Sequence, residues 1–306
     1  MKLRSFAIRL FAACMLALAL PLTADERVKD ERVKVVTSFS ILGDLTQEIG
    51  GDRIQLTNLV GADEDAHVYQ PTPDDGRALL AADLIIANGL GFEPWLYRLV
   101  ESTETSAQVV EATRGVLPIW LEEDGEKVPD PHAWQNLANA RIYIANITQA
   151  LSNAAPAHAA YFAEQEQAYA ERLAELLADA RSEIERLEPS QRNVVTSHDA
   201  FGYLGQAYGL NFVAPQGLST ETEPSAQEVA ALIRQIRESG IGAVFVENIR
   251  DPRLIRQIAE EGGAVVGGTL YSDALASEGP ASSYLGMYRH NITTLAEALR
   301  TAAATP

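Results

Sequence analysis

The chain has 306 residues, 47% apolar and 22% charged, a composition that marks a globular protein and excludes a low-hydropathy disordered one. Its formal charge of −18 argues against nucleic acid as a partner, because that requires a basic face, while an acidic surface attracts cations. The length suffices for two domains of ordinary size.

Segment 1–24 reads as an export leader. Lys2, Arg4 and Arg9 form a basic start, Leu10 to Leu20 an apolar run, and Leu22-Thr23-Ala24 a small-residue cleavage site. The run is short for a membrane span. Cys14 is the sole cysteine and falls inside the leader, so the rest of the chain has neither a disulfide nor a thiolate metal site. Lipidation of Cys14 fits poorly, because much of the apolar run follows it. The expected destination is a periplasm.

After a charged start, Val33 to Ser38 reads as a strand and Phe39 to Ile49 as a helix stopped by Gly50-Gly51. Ile54 to Val60 is a second strand, followed by the acidic loop Asp63 to Pro73. Asp74 to Ala82 is helical, Leu84 to Ala87 is a buried-type strand, and Glu93 to Val100 is a helix with Pro94 tolerated near its start. Gln108 to Val110 is a short strand, Leu121 to Asp130 a polar surface loop, and Asn136 to Leu151 a helix. Pro156 to Leu187 carries the longest helical pattern, with Phe162, Tyr169, Leu173, Leu176, Ile184 and Leu187 on one stripe. At 1.5 Å per residue it spans about 48 Å. It is read as a rigid link, 156–188, between an N-terminal lobe, 25–155, and a C-terminal lobe, 189–306; a long surface helix of one domain is the alternative.

Beyond it the alternation restarts. Val194 to Ser197 is a strand, Ala200 to Tyr208 a helix, and Phe212 to Ala214 a strand. Ser225 to Glu238 is a helix with Ser225 and Glu228 spaced as a capping box. Ala243 to Val246 and Ala264 to Leu270 are strands around a helix from Pro252 to Glu261, and Ser283 to Thr301 is the closing helix. Strands alternating with helices on both sides of the link predict an α/β protein with mainly parallel sheets.

Five histidines divide into two groups. His158, among alanines, and His290, on the polar side of the closing helix, read as exposed helix residues. His67, in a loop after a strand, His132, in Asp130-Pro131-His132-Ala133-Trp134, and His198, at a strand end, each read singly as a loop histidine more readily than as a ligand. Together they offer imidazoles of the kind zinc takes. Asp273 also follows a strand, and ligands of parallel sheets collect at strand carboxyl ends. Spacing alone leaves open whether these four converge. Gly89-Leu90-Gly91 lacks a third glycine at the dinucleotide spacing, and neither Gly-x-Ser-x-Gly nor His-Glu-x-x-His is present. The acidic stretches Asp63 to Asp65 and Glu122 to Glu126 read as solvated surface.

These residues carry a resemblance. Ser38-Phe39-Ser40-Ile41-Leu42-Gly43-Asp44, Asp65-Ala66-His67-Val68-Tyr69-Gln70-Pro71, the Asp130 to Trp134 stretch, Ser197-His198-Asp199-Ala200-Phe201-Gly202-Tyr203, Ser219-Thr220-Glu221-Thr222-Glu223-Pro224, Leu270-Tyr271-Ser272-Asp273-Ala274-Leu275 and Tyr284-Leu285-Gly286-Met287-Tyr288 with Asn291 occur in order. The chain thereby resembles the solute-binding proteins of zinc and manganese ABC importers. The resemblance implies two α/β lobes joined by one long helix, with a metal ion in the cleft between them. It implies His67, His132, His198 and Asp273 as its ligands, and a monomer that hands its ion to a membrane permease. Three imidazoles and a carboxylate suit Zn²⁺; manganese carriers typically have glutamate at the position of His198, a harder donor, so Mn²⁺ or a mixture is the less favoured cargo. Stretch 121–129 is short and lacks the histidine-rich loop of many zinc members, and Gln135-Asn136 replaces a frequent Asp-Pro pair. The segment Ser219 to Glu223 is a flap candidate by analogy. An exported zinc hydrolase, with Asp65 or Asp199 as base, is the alternative of another class; Asp199 reads better as support for the following helix start.

Overall fold

The computed structural model describes residues 32–302 apart from Asp124. The expected leader, 1–24, and Cys14 lie outside the described residues.

The first half opens with β1 (Val33–Phe39), α1 (Ser40–Gly50), β2 (Ile54–Val60), α2 (Pro73–Ala81), β3 (Leu84–Ala87), α3 (Pro94–Thr103) and β4 (Gln108–Glu111). The strands form a sheet in the order β2-β1-β3-β4, and every pairing is parallel. β3 is buried at all four positions, as expected of an apolar run covered on both faces. A hairpin follows, β5 (Trp120–Glu123) against β6 (Glu126–Pro129), paired antiparallel from Trp120 with Pro129 to Glu123 with Glu126. This corrects the surface-loop expectation for 121–130. The overlooked signal is the Asp-Gly pair at 124–125, a hairpin-turn dipeptide; Gly125 takes φ 81°, which glycine adopts without strain.

α4 (Leu137–Ala154) and α5 (Ala159–Glu185) follow, separated by a short 3-10 turn, Pro156–His158. At 27 residues α5 spans about 40 Å. Its buried stripe, Phe162, Tyr169, Leu173, Leu176, Ala180 and Ile184, keeps the predicted helical period. α5 packs on α1, α4 and the closing helix α9 (Tyr284–Ala302), so the long helix is braced along its length.

The second half contains β7 (Asn193–Val195), α6 (Gly202–Tyr208), β8 (Asn211–Val213), α7 (Ala226–Ser239), β9 (Ala243–Glu247), α8 (Arg253–Gly262) and β10 (Val265–Leu270) before α9. Its sheet has the order β10-β9-β7-β8, again parallel throughout. The predicted capping box is formed: Ser225 Oγ accepts from Glu228 N at 3.3 Å, and Glu228 Oε2 accepts from Ser225 N at 2.7 Å. Asp199 does not cap α6; Phe201 holds that position, with no side-chain cap.

One apolar core runs through both halves, from Val35 and Ile85 through Trp134, Leu173 and Phe201 to Tyr284 and Leu295. A smaller core around Val195, Val244, Ile236 and Ile258 lies within the second sheet and its helices. In each sheet the strand order reverses once, between β1 and β3 and between β7 and β9, and open α/β sheets bind ligands outside the carboxyl ends at such points.

Candidate metal centre

His198 follows β7, and its neighbour in the sheet, β9, ends in Glu247. Glu247 is 2% exposed. Its Oε1 accepts from Ser197 N at 2.7 Å and His198 N at 3.0 Å, and its Oε2 lies 2.6 Å from His198 Nδ1. His132 follows β6 and is braced in the same manner: Asp130 Oδ1 accepts from His132 N at 2.9 Å and pairs with His132 Nδ1 at 2.8 Å. A carboxylate on Nδ1 places the proton there and leaves Nε2 as the donor atom. His67 stands in the loop after β2, where Asp65 Oδ1 accepts from its backbone N at 3.0 Å. Asp273 follows β10. The loop before it is held by Asn291, which bonds both Tyr271 N (2.9 Å) and Tyr271 O (2.8 Å), and by Trp134 Nε1 and Gln135 Nε2, which donate to Ser272 O at 2.8 and 2.7 Å. Gln135, which stands where the resembled family often differs, thus ties the His132 segment to the Asp273 segment.

Under His132 lies a second buried carboxyl. Glu93 accepts from Asn88 N, and Asn88 Nδ2 donates to Pro131 O at 2.9 Å, fixing the residue before His132. Burial pushes Glu93 up to about 7, opposed by the backbone N–H of Asn88 and the side chain of Ser38.

The four predicted residues converge: one donor atom from each lies within 4.8 Å of the other three. His67 Nε2 and His132 Nε2 are 3.3 Å apart. Asp273 Oδ2 is 3.2 Å from His67 Nε2 and 3.1 Å from His198 Nε2, and Asp273 Oδ1 is 3.6 Å from His132 Nε2. Zinc–nitrogen bonds of 2.0–2.1 Å in a tetrahedron put neighbouring donors about 3.3 Å apart. Both oxygens of Asp273 are buried with no donor in hydrogen-bond geometry and face the Nε2 atoms of the three imidazoles, so a cation between the four would satisfy them.

The electrostatics are those of a cation site. Burial alone would raise Asp273, but the imidazoles of His198 and His132 hold it well below the usual carboxylate range. Burial pulls His198 down, but Glu247 and Asp273 together outweigh it and hold the imidazole well above its ordinary value. Burial lowers His67, with Asp273 opposing. Counting Asp130 and Glu247 with Asp273, a dication with three neutral imidazoles leaves one negative charge in excess, so the surroundings favour a cation more than the four donors alone do. The raised His198 imidazole favours its protonated form in the metal-free protein, and an ion that binds its ring nitrogen displaces that proton. Affinity is therefore expected to rise about tenfold per pH unit through the neutral range, with proton release on binding. Titrations in buffers of different ionisation enthalpy check this; a flat profile contradicts it.

His158 and His290 stay outside the cluster, as predicted, yet neither is fully exposed. His158 packs edge-on to Phe162 at 6.2 Å, and His290 pairs with Thr269 O at 3.0 Å and packs on Tyr271. The acidic loop is also more than solvated surface. Asp63 accepts from Asn248 Nδ2 at 3.0 Å and Ser277 N at 2.9 Å, and Asp65 Oδ2 accepts from Thr220 Oγ1 at 2.6 Å, so both carboxylates bind the second half of the chain. Sequence reasoning missed Asp130 and Glu247 as partners of the imidazoles. Glu247→Gln is expected to weaken ion binding about 10- to 100-fold without altering the donor set, measured by competition titration.

A family profile described as zinc-uptake complex component A, periplasmic, matches residues 35–298. The chain belongs to this family. The iron-binding protein YfeA of Yersinia pestis is 36% identical over 269 residues, 87% of this chain and 86% of its own. The manganese-binding lipoprotein MntA of Halalkalibacterium halodurans is 35% identical over 271 residues, 88% of this chain and 89% of its own. The periplasmic zinc binding protein TroA of Treponema pallidum superposes with a TM-score of 0.83 at 30% identity, covering 88% of this chain and 99% of that one. The zinc-uptake component A family comprises substrate-binding proteins of ABC importers, not enzymes. The chain is thus a metal-binding solute-binding protein that works with a membrane permease and its ATPase, which sets aside the hydrolase reading. No described helix is long and apolar enough to cross a membrane.

Proposed function

We propose that the protein binds Zn²⁺ through His67 Nε2, His132 Nε2, His198 Nε2 and the Asp273 carboxylate, and delivers it to its permease for import. The observation that carries this reading is the donor set itself: three imidazole nitrogens and one carboxylate, all within 4.8 Å of one another, with the His67–His132 contact and the three contacts to Asp273 at 3.1 to 3.6 Å, near the edge of a zinc tetrahedron. Manganese or iron is the second reading, favoured by the manganese-binding and iron-binding relatives at 35–36% identity. Competition titration with elemental analysis decides between them. The expected result is one bound ion per chain with Zn²⁺ preferred; a preference for Mn²⁺ overturns the zinc assignment. His158→Ala and His290→Ala are expected to keep the affinity within about twofold, since neither lies in the cluster; a large loss in either would mean that other histidines bind the ion.

In this reading residues 25–155 and 189–306 are the two lobes, 156–188 is the link, and the protein acts as a periplasmic monomer without nucleic-acid partners. Segment 1–24 is a cleaved leader. Relatives named as lipoproteins support a second possibility, acylation at Cys14. The intact mass of the exported protein separates the two: a chain beginning at Asp25 supports cleavage, and one beginning at an acylated Cys14 overturns it.

A further inference from the structure

Among the four residues of the centre, His132, His198 and Asp273 are 0% exposed, whereas His67 is 7% exposed. His67 borders a crevice of about 300 Å³, whose lining includes Phe92, Pro129, Leu218, Ser219 and Glu221. That volume holds an imidazole and several waters, at about 30 Å³ per water. A second crevice, of about 470 Å³, runs beside Ser197, Arg250 and Leu254, and none of the four residues lines it. The centre therefore meets solvent on the His67 side.

The wall of the His67 crevice is fastened to His67 itself. Thr220 lies between the lining residues Ser219 and Glu221 and is 3% exposed. Its Oγ1 donates to Asp65 Oδ2 at 2.6 Å, while Oδ1 of the same carboxylate accepts from His67 N at 3.0 Å. Arg250 secures the wall from behind: Nη1 donates to Thr220 O at 3.4 Å, and Nη2 pairs with Glu223 at 2.8 Å. His132 and His198 are braced differently. Each has a carboxylate from its own half of the chain directly on its ring, Asp130 and Glu247 respectively. The loop that carries His67 is thus tied to the second half of the chain through Asp65, by the Thr220 hydrogen bond and by a longer contact with Arg250 Nη1 at 3.9 Å, whereas His132 and His198 are each held at the ring from their own half.

We propose that the ion enters and leaves through this crevice past His67, the last of the four side chains to engage it, and that Thr220 is a positioning residue which holds His67 on the ion through Asp65. This rests on the reading of the four residues as ligands. Release then begins with loss of the Thr220–Asp65 bond. The 218–221 wall loosens, the His67 imidazole turns into the crevice and water takes its place, while His132, His198 and Asp273 still hold the ion. Uptake runs through the same steps in reverse, with the exposed Glu221 carboxylate on the rim facing the incoming hydrated dication.

The test is stopped-flow transfer of bound Zn²⁺ to excess chelator, repeated with Mn²⁺, from the full-length mature protein. Thr220→Val is expected to release the ion roughly tenfold faster, as removal of one hydrogen bond to a charged acceptor predicts. Thr220→Ser, which keeps the hydroxyl, is expected to restore the slow rate, which a mere packing role for the threonine would not require. Ser219→Trp, or Glu221→Trp if the first variant folds poorly, fills the crevice and is expected to slow uptake and release by similar factors with little change in equilibrium affinity. Leu254→Trp fills the other crevice and is expected to change neither rate. Wild-type rates in both Thr220→Val and the crevice-filling variant overturn the proposal, as does slowing by Leu254→Trp alone. His67→Ala separates this from the ligand assignment. Lost affinity in His67→Ala with wild-type rates in Thr220→Val and the crevice-filling variant refutes only the route, whereas unchanged affinity in His67→Ala refutes the ligand set and the route with it.

Discussion

Asp273→Asn is expected to lower affinity for the ion by at least about 100-fold while leaving the fold intact. The amide has nearly the shape of the carboxylate, so the packing beneath Ser272 and beside α9 is retained. It removes the only anionic donor of the four and presents an N–H₂ group where an acceptor is needed. Removing one member of a buried charge cluster costs about 3–5 kcal/mol, which exceeds the 100-fold threshold. The metal-free protein should change as well. The depressed Asp273 carboxyl contributes stability that is present above its unfolded value near 3.8 and is lost as pH falls through its lower folded value. The raised His198 contributes stability that is fully present below its unfolded value near 6.5 and is lost as pH rises through its folded value. Both contributions are complete only between those two unfolded values. Thermal melts in chelator should therefore show the largest deficit of Asp273→Asn against wild type at about pH 5, with a smaller deficit at strongly alkaline pH. Unchanged affinity in the competition titration would remove Asp273 from the centre.

Much of this arrangement was readable from the chain, for reasons that differ by residue. His198 and Asp273 follow apolar β-branched strands, and strand ends in parallel sheets are where ligands gather, so local pattern pointed to both. His67 and His132 lie in loops whose direction no periodicity sets; their settings mark them as candidate imidazoles, and only the resemblance implies that they converge with His198 and Asp273. Glu247 is not marked by local pattern, because its partner is 49 residues away in the chain and comes beside it only through the order β10-β9-β7-β8, which strand patterns do not determine. Its signal was a charge closing the otherwise apolar run Ala243 to Val246. Asp130 was closer to hand, two residues before His132, yet an Asp-x-His spacing is equally that of an ordinary turn. The acidic loop Asp63 to Asp65 has the pattern of solvated surface, as charge runs usually do; its carboxylates bond instead to Asn248, Ser277 and Thr220, contacts that exist only once the two halves meet. The hairpin at 120–129 was hidden by its polar composition, which outweighed the turn dipeptide between its strands.

His198→Glu carries the second large effect, and the structure changes what it should do. Exchange of a borderline nitrogen for a hard oxygen favours Mn²⁺ over Zn²⁺, and a shift of roughly tenfold in their relative affinity corresponds to about 1.4 kcal/mol. The new carboxylate, however, enters a place already bounded by Glu247, 2.6 Å from the present Nδ1, and by Asp273, 3.1 Å from the present Nε2. Like charges that close do not all ionise, so the metal-free variant retains a proton at neutral pH and is less stable than wild type. Absolute affinity for both ions should fall even as their ratio moves toward manganese. Glu247→Gln in the same chain removes the nearer repulsion while leaving the oxygen donor. The double variant is therefore expected to recover most of the lost thermal stability and to keep the altered ratio, whereas Glu247→Gln alone weakens binding without changing the ratio. Competition titrations with both ions across the three variants separate donor chemistry from charge repulsion. A ratio that stays at the wild-type value in both the single and the double variant would mean that selectivity is set elsewhere than at position 198.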